Sequence, residues 1–339
     1  IRMRLVGSEM CIRDRRLIVE SGDKSVAPLL ESLLDRSPLP ETRVHAFGAL
    51  LGLEALNERH FKTALGDPET GVAENALLAA LPGQAEQEIL DLARRRNDRA
   101  SFLALIHVSQ YQWRNEEALD HIHQLLHATK GGANSWNRKA ILGGYKIDVG
   151  SILSRMLTSP VPPNGEPAQS DKRLNMYREF SAAVAASSST SQLDAILQAM
   201  ESVTDQDHQL AIAKGLATGL PRSNFKTKNL AAFIASPPEQ LTHSTNSLSQ
   251  IVDLANELAQ DESQSAVTRV AAIEIACQND FASVLQRTSS LITPAQPSDV
   301  QTAAVRSLGR FSKNRKETAQ FFFNQWKTLP PPTRREAIN

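Results

Sequence analysis

The feature that most constrains the fold is a helical phrase that recurs about every 30 residues. Copies lie at 42–50, 72–80, 268–276 and 300–308. Each copy has a small residue four positions before a second small or apolar one: Ala46/Leu50, Ala76/Ala80, Ala272/Ala276 and Ala304/Leu308. Residues four apart share one helix face, and alanine there lets a neighbouring helix approach closely. A repeat of this size predicts helix pairs that bury their apolar faces against the next pair.

The rest of the chain has the same helical character. Apolar residues recur at helical spacing in short segments, and turn signals such as Gly66-Asp67-Pro68 and Pro237-Pro238 separate them. Aromatic residues make up only 5% of the 339 residues, which favours close packing through small side chains. The pattern predicts an all-α protein, with helices at 224–236 and 239–261 among others.

The copies resemble the short HEAT repeats first recognised in phycobilisome lyases. This resemblance implies a right-handed α-solenoid of short HEAT-like helix pairs. We expect such repeats over 16–158 and again over 171–339, where the array is cut off at its C-terminus. A Pro-rich loop at 159–170 interrupts them. One continuous solenoid with an insertion and two subdomains that meet at the loop both fit the sequence.

Residues 1–15 share no helical period with the repeats. The segment from Leu5 to Arg15 resembles a translated sequencing-library adapter, and an ordinary basic arm is the alternative. We therefore expect 1–15 to be a non-native or disordered addition. Setting Cys11 aside leaves Cys277 as the remaining cysteine, so no disulfide within the chain is expected.

Charge and hydropathy restrict the partners. Lysine plus arginine and aspartate plus glutamate both number 37, so the formal net charge is zero. A neutral chain lacks the positive field of a nucleic-acid binder, so no nucleic acid is expected. No segment approaches the roughly 18 apolar residues of a membrane helix. The expected partners are proteins or neighbouring domains of the same chain.

Two histidines four residues apart form a weak candidate metal site. His123 and His127 share a helix face in a spacing that resembles the HExxH pattern of zinc proteases. Gln124 stands where that pattern has its general base, so the central catalytic group is missing. A polar helix face is the favoured interpretation, and we assign no catalytic or cofactor-binding residue.

The densest basic cluster is a weak candidate interaction surface. It consists of four arginines within six positions: Arg94, Arg95, Arg96 and Arg99. A phosphate-binding face would need cations stacked repeat upon repeat, and these are not. A solvated helix end, where the dipole favours cations, is the favoured interpretation.

Two further features are expected in the core. Cys277 ends an apolar helix stripe and is expected to be a small buried residue. The run 321–323 with Trp326 is the densest aromatic patch, and an exposed partner-binding patch is its alternative role.

The segments 43–72 and 300–337 resemble the HEAT-repeat middle region of large planctomycete-type proteins described as membrane-bound dehydrogenases or haem-binding proteins. In that family a β-propeller precedes the repeats, and a c-type cytochrome domain with Cys-x-x-Cys-His follows them. The resemblance implies a non-catalytic scaffold segment of an exported, haem-linked parent, with haem c in a part outside this sequence. A stand-alone protein-binding scaffold and a HEAT-like enzyme, either a lyase or a DNA-glycosylase type, are the alternatives.

Overall fold

A computed structural model describes residues 2–81, 84–95, 99–110, 120, 122, 126, 135–143, 148–158 and 167–338. The regular structure in these residues is helical, and none of them lies in a strand. The prediction of an all-α protein is confirmed. Within the same residues, no helix is both long and apolar enough to cross a membrane.

The chain divides into two compact units, Ile1–Ile147 and Asp148–Asn339. The helices described in the first unit are α1 (Arg2–Ser21), α2 (Ala27–Arg36), α3 (Pro40–Gly52), α4 (Glu58–Leu65), α5 (Thr70–Ala79), α6 (Glu86–Arg95), α7 (Arg99–Gln110) and α8 (Ser135–Gly143). Those described in the second unit are α9 (Val149–Thr158), α10 (Pro167–Ser187), α11 (Thr190–Met200), α12 (Gln206–Gly219), α13 (Leu230–Ala235), α14 (Asn246–Gln260), α15 (Ala266–Ala276), α16 (Phe281–Ser289), α17 (Ser298–Gly309), α18 (Arg315–Gln325) and α19 (Pro331–Ile338).

Helices in the first unit contact the helix that follows them in the chain and also the one after that. α3 contacts α1, α2 and α5, and α5 contacts α4 and α7. α2, α4 and α6 also contact one another in order. Two layers of alternate helices result. The repeated small residues Ala46 and Ala76 are buried between them, as the i, i+4 pattern predicts.

The second unit contains a comparable row of helices. α10, α12, α15, α17 and α19 contact one another in this order. α14 packs on α15 and also contacts α11 and α12. The alanines of the later copies, Ala272 and Ala304, are fully buried in this packing.

Equivalent arginines join neighbouring repeats in both units. Arg43 donates to both carboxylate oxygens of Asp67, at 2.6 and 2.8 Å, and to the Ser37 carbonyl at 2.8 Å. Arg269 stands at the same position of its copy. It donates to the carbonyl of Ala259 at 3.3 Å and to the side chain of Gln296 at 2.7 Å. Each guanidinium therefore links the end of the preceding helix to the turn that begins the next repeat.

Two helices are shorter than the sequence period predicts. The expected helix at 239–261 begins only at Asn246, after a 3-10 turn at Glu239–Leu241. The hydroxyl of Ser244 donates to Asp194 of α11, which holds the chain in a turn there. The expected helix at 224–236 covers only Leu230–Ala235, because the Asn229 side chain caps it by accepting the Ala232 N–H.

Residues 2–15, which the sequence separates from the repeats, form the first part of α1. α1 packs on α3 at two glycines, since Arg15 and Val19 lie against Gly48 and Gly52. A helical conformation does not bear on the origin of this segment. The adapter interpretation of 1–15 stays a prediction.

Acid is expected to destabilise the second unit through His208. Its ring lies edge-on to Tyr177, with ring centroids 5.0 Å apart, and burial lowers the pKa of His208 below its ordinary value of 6.5 although Asp205 opposes this. The unfolded chain then binds the proton more readily, so stability falls as the pH drops below about 6.5. We expect the loss of unfolding free energy between pH 7.5 and 5.5, measured by urea denaturation, to be smaller in His208→Gln. The exposed His243 provides the control, because His243→Gln should leave the loss unchanged.

Candidate interaction groove

An open groove of about 390 Å³ lies along one row of helices in the second unit. It is bordered by α10, α12, α15 and α17. Its apolar part consists of Ala266, Val267, Val270, Ala271 and Ala303. Its polar rim consists of Arg178, Lys214, Asp299, Thr302 and Arg306.

Helix α15 forms the floor because it has two apolar faces. Ser265 caps the helix by accepting the N–H of Thr268 at 3.1 Å. One face, with Ala272 and Ile273, is fully buried in the core. The other carries Val267 and Val270 three residues apart, on the side that borders the groove. Val267 remains 79% exposed, so the floor offers an uncovered aliphatic side chain.

Two of the rim cations are held by carboxylates of neighbouring helices. Lys214 of α12 pairs with Glu274 of α15. Arg306 of α17 donates to both carboxylate oxygens of Glu336 on α19, at 2.9 and 3.2 Å. These hydrogen bonds raise the pKa of Arg306 and lower that of Glu336. Alternating charges on four successive helices of the row therefore fix both rim cations in place.

Arg178 differs from the other rim cations. Its Nη1 donates to the amide oxygen of Asn175 at 3.1 Å. Its Nε atom is buried and has no hydrogen-bond partner among the residues that the structure describes. Within that part of the chain, no carboxylate forms an ion pair with it. The buried Nε cannot itself meet a ligand, but the guanidinium carries other N–H donors, and no carboxylate of the described residues pairs with them.

Close packing of α10 on α12 positions Arg178. A Cβ atom on Gly215 would lie 2.4 Å from the carbonyl oxygen of Arg178. A Cβ atom on Gly219, one turn further, would lie 2.2 Å from the carbonyl oxygen of Ala182. Only glycine permits this approach. The two glycines therefore determine how near Arg178 lies to Lys214 and to the groove.

The arginine cluster predicted from the sequence lies elsewhere, in the first unit. Arg99 is exposed, and its Nε lies 3.4 Å from Oε1 of Glu74. Arg94 and Arg95 are the last two residues of α6, but their side chains lie outside the described part of the structure, as does the whole of Arg96. The described residues therefore show one of the four arginines, in a surface ion pair.

The candidate metal ligands His123 and His127 both lie outside the described residues. Within the described residues, no group of three histidine, cysteine, aspartate or glutamate side chains is placed to hold a metal ion. The weak metal-site hypothesis at His123 and His127 stays a prediction.

The two features expected in the core have different outcomes. Cys277 is 3% exposed, and burial raises the pKa of its thiol, so its interpretation as a core residue is confirmed. The aromatic patch is only partly buried. Phe322 packs inside, whereas Phe323 is 78% exposed, because neighbouring residues of α18 point to different sides of the helix.

The rim cations were missed in the sequence because Arg178, Lys214 and Arg306 each lie on a different helix. One signal was available on α15, whose Val267, Val270 and Ala271 form a second apolar stripe beside the repeated core stripe. When the chain is compared with known proteins, no protein-family model, no curated protein and no solved structure matches it, so the role of the groove rests on its own geometry.

Proposed function

We propose that this chain is a non-catalytic helical-repeat scaffold that binds a segment of a protein in the groove of its second unit. The segment belongs to another protein or to a neighbouring domain of the same chain. The observation that carries this proposal is the exposed aliphatic floor at Val267, surrounded by charged side chains that neighbouring helices hold in place. Apolar concave surfaces with a few fixed polar groups are typical binding sites.

The right-handed, HEAT-like solenoid is part of the same proposal. Its support within each unit is the contact of alternate helices along a row. A second support is the equivalent role of Arg43 and Arg269, which stand at the same position of two sequence copies and link repeats in the same way. Stacked repeats commonly bind partners along such rows.

We keep the haem-linked dehydrogenase parent as a proposal that is supported by the resemblance of segments 43–72 and 300–337 alone. Recovering the intact gene would test it. A propeller upstream and a Cys-x-x-Cys-His motif downstream are expected, and the second would supply the haem c of the parent. A start codon near residue 16 and a stop soon after residue 339 would instead favour a stand-alone scaffold.

A HEAT-like enzyme is less well supported. A DNA-glycosylase type would need a lone carboxylate in a basic groove lined by aromatic rings. Asp299 does lie among three cations, but the described residues that line the groove include no aromatic one. Asp299 is also exposed in the first turn of α17, where the helix dipole stabilises a carboxylate without any catalytic role.

Blocking the groove floor should weaken peptide binding. Twelve-residue peptides would be selected from a random displayed library against the full 339-residue chain, and their Kd values measured by fluorescence polarisation. Val267→Glu places an unpaired charge on the apolar floor, so we expect at least about tenfold weaker binding.

Phe323→Glu is the matched control, because Phe323 is 78% exposed in the same unit but outside the groove. It should leave the Kd unchanged, and thermal unfolding should show both variants folded. If no peptide is selected, or if both variants lose binding equally, the groove is not the binding site.

A further inference from the structure

We propose that the groove selects segments in which an aspartate or glutamate binds Arg178 while an adjacent aliphatic side chain covers Val267. This inference rests on the proposed function and names the chemistry of the partner. Its basis is a difference among the three rim cations: Lys214 and Arg306 each pair with a carboxylate, whereas Arg178 contacts a neutral amide.

Among the described residues of the rim, Arg178 is the cation without a carboxylate partner. Lys214 and Arg306 are each paired with a carboxylate of a neighbouring helix, Glu274 and Glu336. A ligand carboxylate would have to displace those partners. Within the described chain, Arg178 has only the neutral amide of Asn175 as a partner, so no carboxylate holds its remaining N–H donors. A ligand carboxylate at Arg178 would form a charge-assisted hydrogen bond, and the planar guanidinium favours carboxylate geometry.

The charge balance of the groove argues against a polyanion as its ligand. The rim cations Arg178, Lys214 and Arg306 are balanced by the carboxylates Asp299, Glu274 and Glu336. Nucleic-acid binding needs a sustained positive surface along the phosphate backbone. A locally neutral groove with one open guanidinium instead matches a single carboxylate beside apolar groups.

The apolar floor defines the other half of the recognised segment. Val267 and Val270 lie on α15, whereas Arg178 lies on α10, and all three border the same groove. A segment with only acidic residues would leave the floor exposed to water. Covering Val267 with an aliphatic side chain excludes that water and strengthens the nearby hydrogen bond to Arg178.

The test uses the selected peptides and a double-mutant cycle. We expect the enriched sequences to share an aspartate or glutamate next to an aliphatic residue. Arg178→Gln should weaken their binding about tenfold or more, as expected for the loss of a charged hydrogen bond. Changing the peptide's acidic residue to its amide should raise the Kd for the unchanged protein by a similar factor. The same change should hardly alter the Kd for Arg178→Gln, because the interaction is already lost there. The exposed Arg222, in the same unit but outside the groove, provides the control substitution Arg222→Gln.

Each outcome has a separate meaning. Enriched peptides without an acidic residue, or additive effects in the cycle, would overturn the acidic-partner inference. If Val267→Glu still abolished their binding, the proposed scaffold function would stand. An absence of peptide binding would overturn both. Tighter binding of a single-stranded oligonucleotide than of any peptide in the same assay would also overturn the inference. If Arg178→Gln did not fold, the peptide substitution on the unchanged protein would still decide the question.

Discussion

Replacing Arg43 with alanine is expected to lower the unfolding free energy of the first unit by about 3–5 kcal/mol. The side chains of Arg43 and Asp67 are only 11% and 5% exposed, and two short hydrogen bonds join them. Without Arg43, the Asp67 carboxylate loses the guanidinium that donates to both of its oxygens, although other contacts, including the N–H of Glu69, remain. A buried carboxylate that loses its cation is strongly destabilising. Urea denaturation followed by circular dichroism would measure the loss.

Arg59 is the matched control in the same unit. It also pairs with a carboxylate, that of Asp35, but its side chain is 56% exposed. Solvent screens such a pair, so Arg59→Ala should cost at most about 1 kcal/mol. A second test is the double substitution Arg43→Met with Asp67→Leu, which removes both charges and should recover much of the stability. Equal losses at Arg43 and Arg59 would show that the buried link between the repeats does not stabilise the unit.

The helical core could be predicted from the sequence because its signal is local. A small residue four positions before its partner determines one helix face, and Ala46, Ala76, Ala272 and Ala304 are all buried as that spacing requires. The links between repeats have no such local signal. Arg43 and Asp67 are 24 positions apart, so their contact follows only when successive repeats are superposed.

The groove could not be predicted for a related reason. Successive residues of a helix point in directions about 100° apart, so a run of consecutive cations cannot line one helix face. A charged groove across a row of helices takes its cations from different helices. Arg178, Lys214 and Arg306 meet this condition on α10, α12 and α17, although each is unremarkable in its own sequence context. A run of charged residues in the sequence therefore does not predict a site of this kind.

Replacing Gly219 with alanine is expected to destabilise the second unit by roughly 3 kcal/mol, the upper end of the cost of overpacking. Alanine normally stabilises a helix relative to glycine by about 1 kcal/mol, so the expected sign is reversed. The added Cβ would lie 2.2 Å from the Ala182 carbonyl oxygen and 2.7 Å from the Ala185 Cβ. Neither atom is at the end of a flexible side chain, so α10 and α12 would have to move apart.

Gly309 of α17 provides the control, because a Cβ atom there would meet nothing within 4 Å. Gly309→Ala should leave stability unchanged or slightly increased in the same urea denaturation. α10 carries Arg178 and α12 carries Lys214, so moving these two helices apart should also widen the groove. Gly219→Ala, where it still folds, should therefore bind the peptides more weakly. Equal stability of the two alanine variants would contradict the close helix crossing, and with it the position assigned to Arg178. Loss of stability with unchanged peptide affinity would show that the crossing supports the fold but does not set the width of the groove.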